Sequence, residues 1–428
     1  MKKGLLALGA LFAICLSLLA TDMVVKQKNG EIKKFNVDDV EEVFFEEKAN
    51  IPDDSTVVDA SETLLRFDIS SDSTAEVTGL KIGGVDELII PAKVRIDDKV
   101  YTVTSIKDFA FDTNYLGSVM IPSSITKLYG LTISTNFTVS KDNPAFSSLD
   151  GVLYDKEKTK VIKAPEKLKG DLVIPASVTS IGESAFYYCV DLTNIKIPEG
   201  VTSIGAGAFS GCVSLDPKLL IYDNGTKCYG WIGDEKKCIE VVIPEGVTSI
   251  GNAAFFCYGS LSKIEIAESV TSIGYSAFEG CRSLTNINIP KSVTTIENKT
   301  FSSCSNLASI KIPERVTSIG DYAFSDCSSL TSIKIPEGVT KIGTEAFRGC
   351  SSLTSINIPK NLTSFGSSSF GHCSGLTTIE FSEGLTSIGN EAFLGCDNLT
   401  SINIPETVLV NFCKLSNFFL RHSVLVCW

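Results

Sequence analysis

One feature constrains this chain more than any other: the stretch Ser329 to Ser351, SLTSIKIPEGVTKIGTEAFRGCS, recurs on both sides of itself at a fixed period of 23 residues. The motif proline stands at Pro175, Pro198, Pro244, Pro290, Pro313, Pro336, Pro359 and Pro405, and the missing beats of the rhythm fall on Ile221, Ala267 and Ser382. A constant period between about 20 and 50 residues is the signature of a solenoid, in which each coil buries its apolar side only against its neighbours.

Within the template coil the apolar slots are Leu330, Ile333, Ile335, Val339, Ile342, Ala346, Phe347 and Cys350. Ile333 and Ile335 alternate with Ser332 and Lys334, so Leu330 to Ile335 predicts a short strand with its isoleucines inward. Pro336 ends it, having no N–H for a ladder. Val339 to Ile342 reads as a second extended segment, and Gly343 after it as a turn that needs positive φ. Ala346 to Cys350 is too short for a helix of its own and predicts a helical or 3-10 turn pinned by its Phe and Cys. Stacked coils place parallel strands about 4.8 Å apart, and the intervals from Pro175 to Pro405 then span roughly 48 Å.

The pattern L-x-x-I-x-I, with a Cys later in the coil, resembles the leucine-rich repeat. The fuller consensus LTSIxIPxxVTSIGxxAFxGCxS resembles the repeats of the BspA-like family of bacterial cell-surface proteins. The resemblance implies a leucine-rich repeat solenoid, mostly β, with one parallel strand per 23-residue coil, short helical or 3-10 turns and a β-rich N-terminal cap.

Read in order, residues 1–20 have the form of a secretory signal: Lys2 and Lys3, an apolar run, then polar Thr21 and Asp22. Cys15 raises a lipoprotein alternative, against which stands the bulky Ile14 before it. Residues 21–48 carry Asn29-Gly30 between two alternating stretches and predict a small β-hairpin module. Residues 49–61 are polar, with Pro52, and read as a linker. Residues 62–140 resemble the family's cap and irregular first repeats; an open solenoid end needs one, because it exposes apolar side chains and strand edges. Residues 141–171 read as a hairpin insertion and 172–408 as the regular array. In residues 409–428 the pattern stops, which reads as a divergent cap, an out-of-frame tail or a partner-binding segment. Inside the array, Val213 to Val242 is an eroded coil: Asp216, Pro217 and Lys218 interrupt its strand, and Trp231 stands in for the spine Phe. Tyr222, Tyr229 and Trp231 there offer an aromatic bump as the alternative to core packing.

Fourteen cysteines in an exported chain ordinarily mean disulfides. Spacing argues otherwise. Cys189, Cys212, Cys281, Cys304, Cys327, Cys350, Cys373 and Cys396 share one slot, and parallel stacking at about 4.8 Å exceeds the roughly 3.8 Å between Cβ atoms that a bridge wants. They predict a ladder of buried thiols; Cys228 and Cys238, in the eroded coil, are the better disulfide candidates. The two histidines, His372 and His422, form no triad. No catalytic residues, metal ligands or cofactor are expected, since the hydroxyls and carboxylates recur with the repeat and converge nowhere.

Net charge is −12, with Glu199, Glu245, Glu268, Glu314, Glu337, Glu383 and Glu406 after the proline or its replacement. Nucleic acid and anionic membrane are therefore poor partners, and no internal apolar run reaches the ~20 residues of a membrane span. The outward strand positions form two polar rows. Lys263, Asn286, Ser309, Ser332, Ser355, Thr378 and Ser401 make one; Glu265, Asn288, Lys311, Lys334, Asn357, Glu380 and Asn403 make the other. In leucine-rich repeats the strand face is the ligand-binding side, so the resemblance assigns binding to Lys263, Glu265, Asn286, Asn288, Lys311, Lys334, Asn357, Glu380 and Asn403. The rows lack the Trp, Tyr and Arg anchors of tight interfaces, which favours weak or multivalent contact. The resemblance implies an exported surface protein for adhesion or recognition, its partner an extracellular protein or glycoprotein such as host matrix. The rival expectation is a passive spacer or coat protein.

Overall fold

The computed structural model describes residues 54–408 apart from 83, 112–115 and 130–134, together with the backbone of three strands, Asp22–Lys26, Ile32–Asn36 and Leu425–Cys427. The expected signal segment, the Asn29-Gly30 turn and most of residues 409–428 lie outside the described residues. Two compact units divide at Asn50. In the first, Asp22–Lys26 and Ile32–Asn36 pair antiparallel with Asp22 opposite Asn36.

The second unit opens on a six-stranded sheet in the order Val57–Asp59, Lys93–Ile96, Lys99–Ile106, Thr74–Leu80, Leu65–Ile69, with Lys127–Leu128 paired to Lys99–Ile106. Its first strand corrects the expected linker: Val57–Asp59 pairs parallel to Lys93–Arg95. A 3-10 turn follows, with the Asp59 side chain accepting from the Ser61 amide at 2.9 Å. Ordered backbone pairing, not a tether, therefore occupies the end of the 49–61 stretch.

From Gly170 onward each coil contributes to parallel ladders. Face strands such as Ser309–Lys311, Ser332–Lys334, Ser355–Asn357 and Thr378–Glu380 stack in register, and two-residue strands such as Ser318–Ile319 and Lys341–Ile342 stack behind them. Between the strands runs a third ladder made of turns. In the coil of Phe347, the amides of Glu345, Phe347 and Gly349 donate to the carbonyls of Ser367, Ser369 and Gly371 at 2.8–2.9 Å. The expected helical turn is thus a chain of β-turns whose alternate N–H groups point along the stack. Glu345 and Gly349 supply the left-handed backbone, φ 52° and 73°.

Gly343 does something else, and the expected positive φ there is corrected: it lies outside the left-handed region. A Cβ at that position would stand 2.5 Å from the Asp321 amide nitrogen and 2.6 Å from the Gly320 carbonyl carbon. The slot needs glycine for close approach of coils. Where the slot holds Glu297 instead, the second ladder breaks: Ser272–Ile273 ends one sheet and Thr295–Ile296 begins another.

The core is a stack of identical side chains. Phe255, Phe278, Phe301, Phe324, Phe347, Phe370 and Phe393 pack with ring centroids 5.3–5.6 Å apart, all at most 1 % exposed. The eroded coil is filled by an antiparallel hairpin, Lys218–Tyr222 with Lys227–Ile232. Lys218 therefore begins a strand where the sequence predicts an interruption. Ile232, not Trp231, occupies the spine Phe slot, 1 % exposed, and Trp231 is only partly buried beside it. The hairpin alternates its side chains between two cores: Leu220 and Ile232 pack with the coils before it, Leu219 and Trp231 with those after.

Candidate functional site

Along the described strand face the predicted rows are outward and exposed, Lys263, Glu265, Asn286, Asn288, Lys311, Lys334, Asn357 and Glu380 among them. The side chain of Asn403 lies outside the described residues. In register, Lys311 stands opposite Lys334 and Asn357 opposite Glu380. The rows are not continuous. Lys263 and Glu265 belong to a two-stranded sheet, Glu240–Ile243 with Lys263–Ile266. Asn286 lies outside the named strands, and Asn288 meets Lys311 only through an isolated bridge. This is the coil of Glu297, so both ladders are interrupted at the same coil.

The side chains differ in what they leave free. Lys263 Nζ pairs with Glu265 at 2.8 Å; that contact raises the lysine and lowers the carboxyl from their ordinary values. Lys334 reaches Glu314 at 3.5 Å. Lys311 has no ion pair among the described residues. Asn357 is spent on structure: its Oδ1 accepts from the Ile335 amide at 3.0 Å and its Nδ2 donates to the Ile335 carbonyl at 3.0 Å.

The cysteine ladder is buried and unbridged. Each thiol has a partner the sequence does not announce: Cys350 Sγ donates to the Phe324 carbonyl at 3.2 Å and Cys373 Sγ to Phe347 at 3.1 Å. Cys228 and Cys238, the disulfide candidates, are both buried free thiols, and burial pushes them up to about 11 and about 12. His372 takes a left-handed turn position, φ 58°. It lines an open pocket of about 400 Å³ with Glu345, Arg348 and Glu391, and Arg348 is held by Glu345 at 3.4 Å. Among the described residues no three His, Cys, Asp or Glu side chains gather as a metal would require.

Sequence reasoning missed where the aromatic surface lies. Tyr187, Tyr188, Phe256 and Tyr275 are 40–51 % exposed on the turn edge, in slots that other coils fill with Ser210, Gly211, Glu279, Ser302 or Asn298. Comparing turn slots, rather than strand slots, across coils would have found them. Beyond Tyr275 no large hydrophobic among the described residues is exposed, and these four flank the interrupted coil, Tyr187 and Tyr188 before it and Phe256 and Tyr275 after it.

With this geometry established, comparison with known proteins decides the class. The model of the BspA type leucine rich repeat region matches six copies, at residues 166–227, 233–351 and 294–419, more than half of the chain. The chain belongs to the BspA-type leucine-rich repeat family. No curated protein matches it. Among solved structures, this BspA-type chain is similar to a leucine rich cell surface protein from Faecalibacterium prausnitzii, at 25 % identity over 83 % of this chain and 95 % of that one, TM-score 0.36. It is similar to a Treponema pallidum (T. pallidum) leucine rich repeat protein at 30 % identity, over 43 % of this chain and 87 % of that one, TM-score 0.38. It is also similar to the pneumococcal vaccine antigen PcpA, at 20 % identity over 85 % and 96 %, TM-score 0.37. No described helix of this BspA-type protein is long and apolar enough to cross a membrane.

Proposed function

We propose that this chain is an exported surface protein that recognises an extracellular protein or glycoprotein, host matrix included, through the strand face of its repeats, with no catalytic step. The BspA-type repeats support a binding role. One observation carries the choice of face: Lys311 and Lys334 stand side by side in parallel register on a chain of net charge −12, and while Lys334 reaches Glu314, Lys311 has no ion pair among the described residues. Like charges directly opposite on neighbouring strands are destabilising, and an acidic patch on a partner relieves that repulsion. Glu265, Asn288 and Glu380 flank the pair as rim contacts. The test is binding of the purified protein to immobilised matrix proteins beside the Lys311→Glu, Lys334→Glu double variant. Saturable binding that drops at least tenfold in the variant is expected. Absence of binding to every matrix protein would move the reading to a passive spacer or coat protein.

A further inference from the structure

The turn ladder has one gap. In every described coil from Ser184 to His372, apart from the eroded one, three amides can donate to the next coil. They do so at 2.6–3.1 Å for the trios that begin at Ser184, Ala253, Ser276, Lys299, Tyr322, Glu345 and Ser368. The trio Gly207, Phe209 and Gly211 finds no backbone acceptor, because the hairpin Lys218–Ile232 replaces the turns that would receive it. The Trp231 carbonyl, one period on in sequence from that of Ala208, which accepts from Phe186, accepts instead from Tyr258 Oη at 2.8 Å. Trp231 Nε1 is itself buried with no acceptor. A buried indole N–H left unsatisfied is rare and costly.

Gly207, Phe209 and Trp231 line one cleft together with Tyr229, Phe256 and Tyr258, and no charged side chain takes part. Its internal room is about 20 Å³, enough for one water-sized group. The aromatic edge adjoins it: Phe256 is part of the lining, and the Tyr188 amide donates to the carbonyl of Ser210, another lining residue, at 2.8 Å. Tyr188 lies over Gly211, where a Cβ would come within 2.9 Å of the ring, and Tyr187 packs against Tyr188 with centroids 4.6 Å apart. The Tyr187 phenol is also within electrostatic reach of Cys257, next to Phe256.

A ligand that suits this place must offer hydrogen-bond acceptors to N–H donors, present an apolar face to aromatic rings, and carry no charge, since no counter-charge lines the cleft and the chain is acidic overall. A pyranose has these properties: C–H groups on its face and hydroxyl or acetamido oxygens at its edge. We propose that the interrupted coil is a binding site for a neutral glycan, with one hydroxyl or acetamido oxygen entering beneath Trp231 and the sugar ring resting on Tyr188 and Phe256. The site is separate from the strand face and stands or falls independently of it.

The chain contains two tryptophans, Trp231 and Trp428, so the full-length Trp428→Phe protein reports on the cleft alone. Titration with chitotriose, cellotriose, maltotriose and lactose, with sialyllactose as the anionic control, should give a saturable change in Trp231 fluorescence for at least one neutral sugar. Tyr188→Ala and Phe256→Ala should each weaken it at least tenfold, Tyr188→Phe should largely restore it, and Lys311→Glu with Lys334→Glu should leave it unchanged. No response to any neutral sugar, a response equal in the alanine variants, or a response only to sialyllactose or to a deglycosylated matrix protein would overturn the proposal.

Discussion

Cys350 shows how much a single repeat slot demands. The site is fully buried, small, and faces the Phe324 carbonyl, which also accepts from the Cys327 amide at 3.2 Å. A thiol fills it as a small hydrophobe with a weak donor. Burial holds Cys281, Cys327 and Cys350 well above the ordinary thiol value of 9.0 and puts Cys304 and Cys396 at about 12. In the unfolded chain these thiols ionise near 9, in the folded chain far later, so above pH 9 the unfolded state binds fewer protons and stability falls. The melting temperature should therefore be flat between about pH 6 and 8.5 and fall steeply between about 9 and 12, at up to about 1.4 kcal/mol per thiol per pH unit. Replacing Cys327 and Cys350 by Ala should make that fall shallower; an unchanged slope in a thermal-melt series would contradict the ladder's role. Cys257 is the exposed cysteine among the described ones, standing in a left-handed turn slot, φ 61°. Alkylation of the native protein followed by peptide mapping should label Cys257 first and the ladder thiols only after unfolding.

At the scale of the element, the glycine after the second strand decides whether two coils can touch. Gly343→Ala forces a Cβ onto backbone atoms of the preceding coil and should cost about 3 kcal/mol or more in denaturant unfolding, as overpacking against atoms that cannot move aside. Gly251 follows the hairpin, and a Cβ there would meet the Cys228 carbonyl oxygen at 3.3 Å, so Gly251→Ala should cost about 1 kcal/mol or less. The converse change is more informative. Glu297→Gly should let Thr295–Ile296 pair with Ser272–Ile273, raise the melting temperature, and bring hydrogen-exchange protection to the amides of Thr294 and residue 297. If those amides stay as fast as in the parent, glutamate is not what opens the ladder.

The molecule as a whole is a sum of neighbouring contacts, so its cooperativity should follow its coils. Removing Ser329–Ser351, one full period, brings Ser309–Lys311 into register with Ser355–Asn357 and should leave a folded protein with a modestly lower melting temperature. Removing residues 329–340 puts every later slot out of phase and should abolish the cooperative melt; circular dichroism separates the two. Much of this was legible beforehand. The 23-residue period, the strand before Pro336, the inward Ile333 and Ile335 and the unbridged thiol slot follow from residue spacing alone, because each coil repeats one local solution and its partner is always the next copy of itself. What spacing could not reveal lies where copies differ or where coils touch. The role of Gly343 depends on backbone one coil away, the engagement of Asn357 depends on Ile335, and the break at Glu297 depends on the distance between stacked strands. The aromatic cleft arises only because a hairpin with no repeat pattern displaces the turns that Gly207, Phe209 and Gly211 would otherwise pair with. The period of the chain determines the coil; the contacts between unlike coils, which only the tertiary structure sets, decide where the surface has unsatisfied groups to offer a partner.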